Sequence, residues 1–134
     1  MIVTDYNDVG FSHARAATAV KRITAKLKCR RKKVGLVFTG ISGVLIGMRV
    51  VDKTKRPFAI VRKNERSHST LRVEGHEMRE FIIIDDFIEY GHTIDLILRK
   101  MKRFSGRSQC VGIFLYNARG DKYDDFRGIP VTVL

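Results

Sequence analysis

The stretch Phe81-Ile82-Ile83-Ile84-Asp85-Asp86-Phe87-Ile88-Glu89-Tyr90-Gly91-His92-Thr93-Ile94 constrains the chain more than any other. Phe81 to Ile84 are apolar residues of high β-propensity with no polar residue between them. A strand with one solvated face alternates. An unbroken run of apolar β-formers reads as a buried strand. Asp85 and Asp86 end the run, and a short loop carrying Gly91 and Thr93 follows. Ile94, Ile97, Leu98 and Met101 then recur at helical spacing. The stretch is a strand–loop–helix unit with two adjacent carboxylates at the strand tip.

The rest of the chain repeats the alternation. Ser12 is placed to cap a helix carrying Ala16, Val20, Ile23 and Leu27. Residues 34–39 read as a short strand, 39–43 as a loop with Gly40 and Gly43, and 44–51 as a buried helix in which Gly47 permits close packing. Pro57 breaks the chain before a second strand at 58–62. Residues 63–75 read as a polar, mobile connection, 80–84 as the third strand, 109–116 as the fourth and 129–134 as a fifth. Strands alternating with helices predict a parallel α/β sheet flanked by helices, with ligands beyond the carboxyl ends of the strands. The length of 134 residues predicts a single domain over residues 1–134.

No apolar run is long enough to span a bilayer, so no membrane association is expected. The start Met1-Ile2-Val3-Thr4-Asp5 lacks a basic residue followed by an apolar stretch, and no signal peptide is expected. Cys29 and Cys110 are isolated thiols without CxxC spacing, which points to a reducing, cytoplasmic setting rather than a disulfide scaffold or a zinc site. The net charge of +12 implies attraction to polyanions. Much of it lies in Lys21, Arg22, Lys26, Lys28, Arg30, Arg31, Lys32 and Lys33. That basic stretch is either a solvated helix end whose cations suit the macrodipole or a nucleic-acid patch.

Chemically, the loop after Asp86 offers backbone N–H groups and a helix N-terminus to a phosphate. The paired acids suit sugar hydroxyls or a hydrated cation such as Mg²⁺. A strand ending in twin acids beside a Gly/Thr loop therefore fits a sugar phosphate with Mg²⁺.

The same strand, acids and loop resemble the phosphoribosyl-pyrophosphate (PRPP) signature of the type I phosphoribosyltransferases. Gly35-Leu36-Val37-Phe38-Thr39-Gly40-Ile41-Ser42-Gly43 is similar to that family's first strand and pyrophosphate loop. Phe58-Ala59-Ile60-Val61-Arg62-Lys63-Asn64-Glu65-Arg66-Ser67-His68-Ser69 resembles the strand and basic flexible loop of its orotate enzymes. Residues 119–134 resemble its usual ending, a glycine-containing turn before a last strand.

The resemblance implies a type I phosphoribosyltransferase core in which a nitrogenous base displaces pyrophosphate from PRPP. It implies that Asp85 and Asp86 bind the ribose hydroxyls and organise Mg²⁺. Tyr90, Gly91, His92 and Thr93 would surround the 5′-phosphate, with Thr93 also a candidate N-cap. Thr39, Gly40, Ile41 and Ser42 would contact pyrophosphate. Arg62, Lys63 and His68 would neutralise the leaving group, with Arg66 as a helper. Glu89 stands where the family's 6-oxopurine salvage enzymes carry an acid, which implies a general acid/base and a purine acceptor. Tyr90 stands where the family usually has threonine. Tyr116, Asn117 and Arg119 would line the base pocket. The short segment before residue 34 implies a reduced hood over the base. Homodimers are common in the family, so a homodimer is the expected assembly. The expected function is Mg²⁺-dependent nucleobase salvage. The alternative is a PRPP-sensing, nucleotide-sensing or nucleic-acid-binding regulator on the same fold, or a derivative with an unused pocket.

Overall fold

A computed structural model describes residues 8–63, 72–117 and 124–134. The elements run α1 (Asp8–Phe11), α2 (His13–Leu27), β1 (Gly35–Thr39), α3 (Gly40–Thr54), β2 (Phe58–Val61), β3 (Val73–Gly75), β4 (Glu80–Asp85), α4 (His92–Phe104), β5 (Gln109–Leu115), β6 (Asp125–Phe126) and β7 (Ile129–Val133). They build one seven-stranded sheet in the order β3-β2-β1-β4-β5-β7-β6. The β2-β1-β4-β5-β7 core is parallel, and β3 and β6 add antiparallel edges.

The unbroken apolar run works as its pattern predicts. Ile82 and Ile84 of β4 enter one core with Leu36, Phe38, α2 and α3. Phe81 and Ile83, pointing the other way, enter a second core with Val37, Ala59, Ile113 and α4. Helices cover both faces, so the inner β4 residues, Phe81 to Ile84, all need apolar side chains. β1 turns outward to β2, and the chain then returns to lay β4 on β1's other side. The strand order therefore reverses between β1 and β4, where open α/β sheets place their ligands.

Three local expectations are corrected. Residues 39–43 are not a loop, because α3 starts at Gly40 directly after β1. Gly40 sits at φ +66°, a value that lets one residue turn the strand into a helix. The helix runs on to Thr54, past the expected 51. The tail of the 63–75 connection is ordered as β3, whose carbonyls and amides pair with β2. β6 was likewise not foreseen.

The end of α2 is fixed by Arg56, a buried residue with no marking sequence pattern. Its guanidinium donates to the carbonyls of Leu27 (2.7 Å), Arg30 (2.9 Å), Arg31 (2.6 Å) and Val34 (3.0 Å). A planar fork with five N–H donors suits this cluster of carbonyls at and after the helix end, of which Leu27 O and Arg31 O also accept the N–H groups of Arg30 and Val34. It ties the basic turn after α2 to the strand that follows.

Candidate functional site

At the carboxyl edge of the sheet, where β1 and β4 end side by side, lies a cavity of about 400 Å³. It is lined by residues 85–94 with Ser42 and Lys63. Asp85 and Asp86 form its floor, each 5% exposed. Asp85 Oδ1 accepts the Asp86 N–H at 2.9 Å and the Ser42 hydroxyl at 3.4 Å, while Asp86 Oδ1 accepts the Phe87 N–H at 2.9 Å. The main chain is pinned from β5: Tyr116 N–H donates to Asp85 O at 3.1 Å and Asn117 N–H to Asp86 O at 2.8 Å. Asp86 Oδ2 is buried with no hydrogen-bond partner among the described residues. Such an atom costs free energy until something binds it.

Burial, with the adjoining Asp86 carboxylate second, pushes the Asp85 carboxyl up to about 8; the Lys63 ammonium opposes the rise. Burial first, and repulsion between the two carboxylates second, therefore favour the protonated form of Asp85 until a cation or a hydroxyl donor arrives.

The opposite wall is the start of α4. Gly91 takes φ +83° at the N-cap, and a Cβ there would lie 2.5 Å from the Phe126 ring. Both conformation and space thus require glycine. Ile88, buried, anchors the loop between the acids and Gly91. The first-turn amides of α4 face the anion side of a helix dipole, as phosphate sites do. Thr93 lies within this first turn, and Gly91 holds the cap position expected for it. Tyr90 is 77% exposed at the rim, its ring tilted beside His92 at 6.1 Å, so it does not plug the turn. Glu89 is exposed on the same rim.

Lys63 reaches in from the end of β2. A Cβ on Gly40 would lie 3.4 Å from its Nζ, which puts the ammonium over the start of α3. Lys63 also borders a second, more apolar groove of about 580 Å³ beside Ile41, Val44, Leu45 and Ile60.

The expected site residues thus divide. Ser42, Lys63, Asp85, Asp86, Glu89, Tyr90, Gly91, His92 and Thr93 surround one cavity. Gly40 and Ile41 line the second groove instead, with Ile41 69% exposed. Thr39 is buried and spends its hydroxyl on the Val61 carbonyl. Arg62 also lines the second groove, where Glu74 takes both its Nε (3.0 Å) and its Nη2 (2.5 Å). Tyr116 is buried and donates its hydroxyl to Ser42 O at 2.6 Å, and it borders a separate cavity of about 270 Å³ beside α2. Arg66, His68 and Arg119 lie outside the described residues.

Three positioning contacts had no sequence signal. Lys100 of α4 donates to the Arg62 carbonyl and so steadies the chain just before Lys63. The β6–β7 hairpin braces the loop through Phe126 on Gly91 and through the 2.9 Å pair of Arg127 with Asp95. Among the described residues, no group of three or more His, Cys, Asp or Glu is placed to hold a metal. Twin acids with one unsatisfied buried oxygen fit a hydrated Mg²⁺ that takes its other ligands from a substrate. No described helix is long and apolar enough to cross a membrane.

No family model matches the sequence, and no curated protein matches it. Solved structures do. The orotate phosphoribosyltransferase of Aeropyrum pernix superposes with TM-score 0.71 at 12% identity, covering 98% of this chain and 76% of that one. The adenine phosphoribosyltransferase of Thermoanaerobacter pseudethanolicus gives 0.72 at 14% identity, covering 99% and 87%. The orotate phosphoribosyltransferase of Mycobacterium tuberculosis in complex with PRPP gives 0.65 at 13% identity, covering 84% and 65%. The chain has the fold of the type I phosphoribosyltransferases.

Proposed function

On this type I phosphoribosyltransferase fold, we propose that the protein transfers the phosphoribosyl group of PRPP to a nucleobase, a purine, with release of pyrophosphate. The observation that carries the proposal is the pair Asp85–Asp86, buried at the strand-order reversal with Asp86 Oδ2 unsatisfied, across from the Gly91-headed start of α4. A ligand with hydroxyls at one end and a phosphate at the other fits between them. In the reaction, the bond from C1 of the ribose to pyrophosphate oxygen breaks while a bond from C1 to a ring nitrogen forms, and the base gives up a proton.

Asp85 and Asp86 would hold the ribose hydroxyls. The amides at the start of α4, with Thr93 and His92, would hold the 5′-phosphate. Lys63 and the start of α3 at Ser42 would take the pyrophosphate. With Arg62 drawn to Glu74, neutralisation there falls to Lys63. Glu89 on the open rim would accept the purine proton. Mg²⁺, when bound by the twin acids and the substrate's own oxygens, would offset the diphosphate charge. The protein's own share is positioning and fixed electrostatics. A cytoplasmic homodimer that salvages purines belongs to the same proposal.

The second reading is a sensor that binds PRPP without turning it over, favoured by Tyr90 at the phosphate loop and by the Arg62–Glu74 pair. Incubation with PRPP, Mg²⁺ and each nucleobase, with pyrophosphate as the readout, separates them. Release with a purine supports transfer. No release with any base, while PRPP still raises Tm, overturns transfer in favour of sensing. No thermal shift overturns both.

A further inference from the structure

On the helical face away from the acids, α2 and α3 enclose a groove of about 590 Å³. Its walls carry Lys21 from α2, Lys28 at the C-cap of α2, and Arg49 and Lys53 from α3, with Asp52 as the one carboxylate in the lining. Lys21 and Lys28 are seven residues apart, two turns, and so stand on one side of α2 roughly 10 Å apart along its axis. Arg49 and Lys53 are four apart and share a side of α3. Two rows of cations thus run along opposite walls. Among the described residues none of the four is in an ion pair, whereas Arg31, Arg62 and Arg127 are each paired. Past Lys28 the row continues into the exposed Lys32 and Lys33, in the turn that Arg56 fixes.

We propose that this groove binds the sugar–phosphate backbone of duplex DNA, without reading its sequence. Charges spread along a channel match a row of phosphates better than the convergent set a single phosphate would need. Between the charged residues the lining is Ala17, Val20, Thr24 and Ala25, which offers no aromatic ring on which an unpaired base would stack. A duplex keeps its bases stacked inside and needs none. The exposed large hydrophobic residues, Phe11, Ile41, Tyr90 and Val133, all lie outside the groove, which leaves it nothing to insert into a membrane. The net charge of +12 supplies the long-range attraction.

The test is fluorescence anisotropy with a labelled DNA duplex of mixed sequence between 50 and 200 mM KCl. Four phosphate contacts predict a log–log salt slope near −3.6, or about 150-fold weaker binding across that range. The variant Lys21→Ala/Lys28→Ala/Arg49→Ala/Lys53→Ala is expected to lose most of the affinity and to flatten the slope by about that amount. A charge-matched control, Arg99→Ala/Lys102→Ala/Arg103→Ala/Arg107→Ala, removes exposed cations from α4 and the turn after it, and is expected to stay within about threefold. Circular dichroism establishes that both variants fold. The proposal is overturned if the groove variant binds like the wild type, if the control loses as much, or if single-stranded DNA, duplex RNA or phosphatidylserine vesicles bind more tightly than duplex DNA.

Discussion

Replacing Asp85 by Asn should stabilise the fold and abolish PRPP binding together. Burial and the adjoining Asp86 carboxylate hold the Asp85 carboxyl at about 8 in the folded chain, against an ordinary 3.8. Below about pH 4 the group is protonated in both states and contributes nothing. Between about pH 4 and 8 the unfolded chain has released a proton that the folded chain retains, so unfolding free energy falls as pH rises. At about 1.4 kcal/mol per pH unit this amounts to on the order of 5 kcal/mol by pH 8. Asn keeps the shape and can still accept from Asp86 N–H and Ser42 Oγ–H. It carries no charge to bury. Urea denaturation across this pH range should show a sloping wild-type curve and a flatter Asp85→Asn curve, converging near pH 4 and separated by several kcal/mol at pH 8. In parallel, the rise in Tm caused by PRPP with Mg²⁺ should vanish in the variant. Parallel slopes, or a variant less stable than the wild type at pH 8, would refute the assignment of a burial-raised Asp85 carboxyl to this floor.

Three further outcomes are expected. Gly91→Ala forces a β-carbon into the Phe126 ring at a positive φ and should cost about 2–3 kcal/mol by thermal unfolding, with PRPP binding weakened as well; wild-type stability would show the loop is not braced this way. Arg56→Met removes four hydrogen bonds from a charged donor to main-chain carbonyls and should cost about 3–5 kcal/mol in urea, a loss under 1 kcal/mol arguing against the guanidinium as the clamp of α2. Glu89→Gln should slow transfer by about 10²–10⁴-fold while leaving the PRPP-induced rise in Tm intact; undiminished turnover removes the residue from proton transfer.

The parts of the molecule legible in the sequence are those where one constraint acts alone. Phe81 to Ile84 announce a buried strand because such burial tolerates nothing polar, and the helical stripe of Ile94, Ile97 and Met101 is as direct. Twin acids at the strand tip stood out because carboxylates there oppose that burial. Residues 39–43 misled because glycine, threonine and serine usually mark a loop, whereas here Gly40 uses its freedom to enter a helix in one step. β3 and β6 are too short for any alternation to register, and pairing with a neighbour, not propensity, makes them strands. The division among basic residues was also hidden. Arg62 turns to Glu74, Arg56 to the end of α2, and Lys63 to the cavity, and only the packed chain decides which cation goes where.

The hairpin bracing Gly91 also sets an order of assembly. Phe126 follows Gly91 by a helix and a strand, so as the ribosome delivers the chain the turn after Asp86 emerges well before the ring that seats it. The amides at the start of α4 can take their final aim only once β6 has paired with β7 and brought Phe126 against Gly91. The conformation of the turn after Asp86 is thus completed by residues that lie beyond β5.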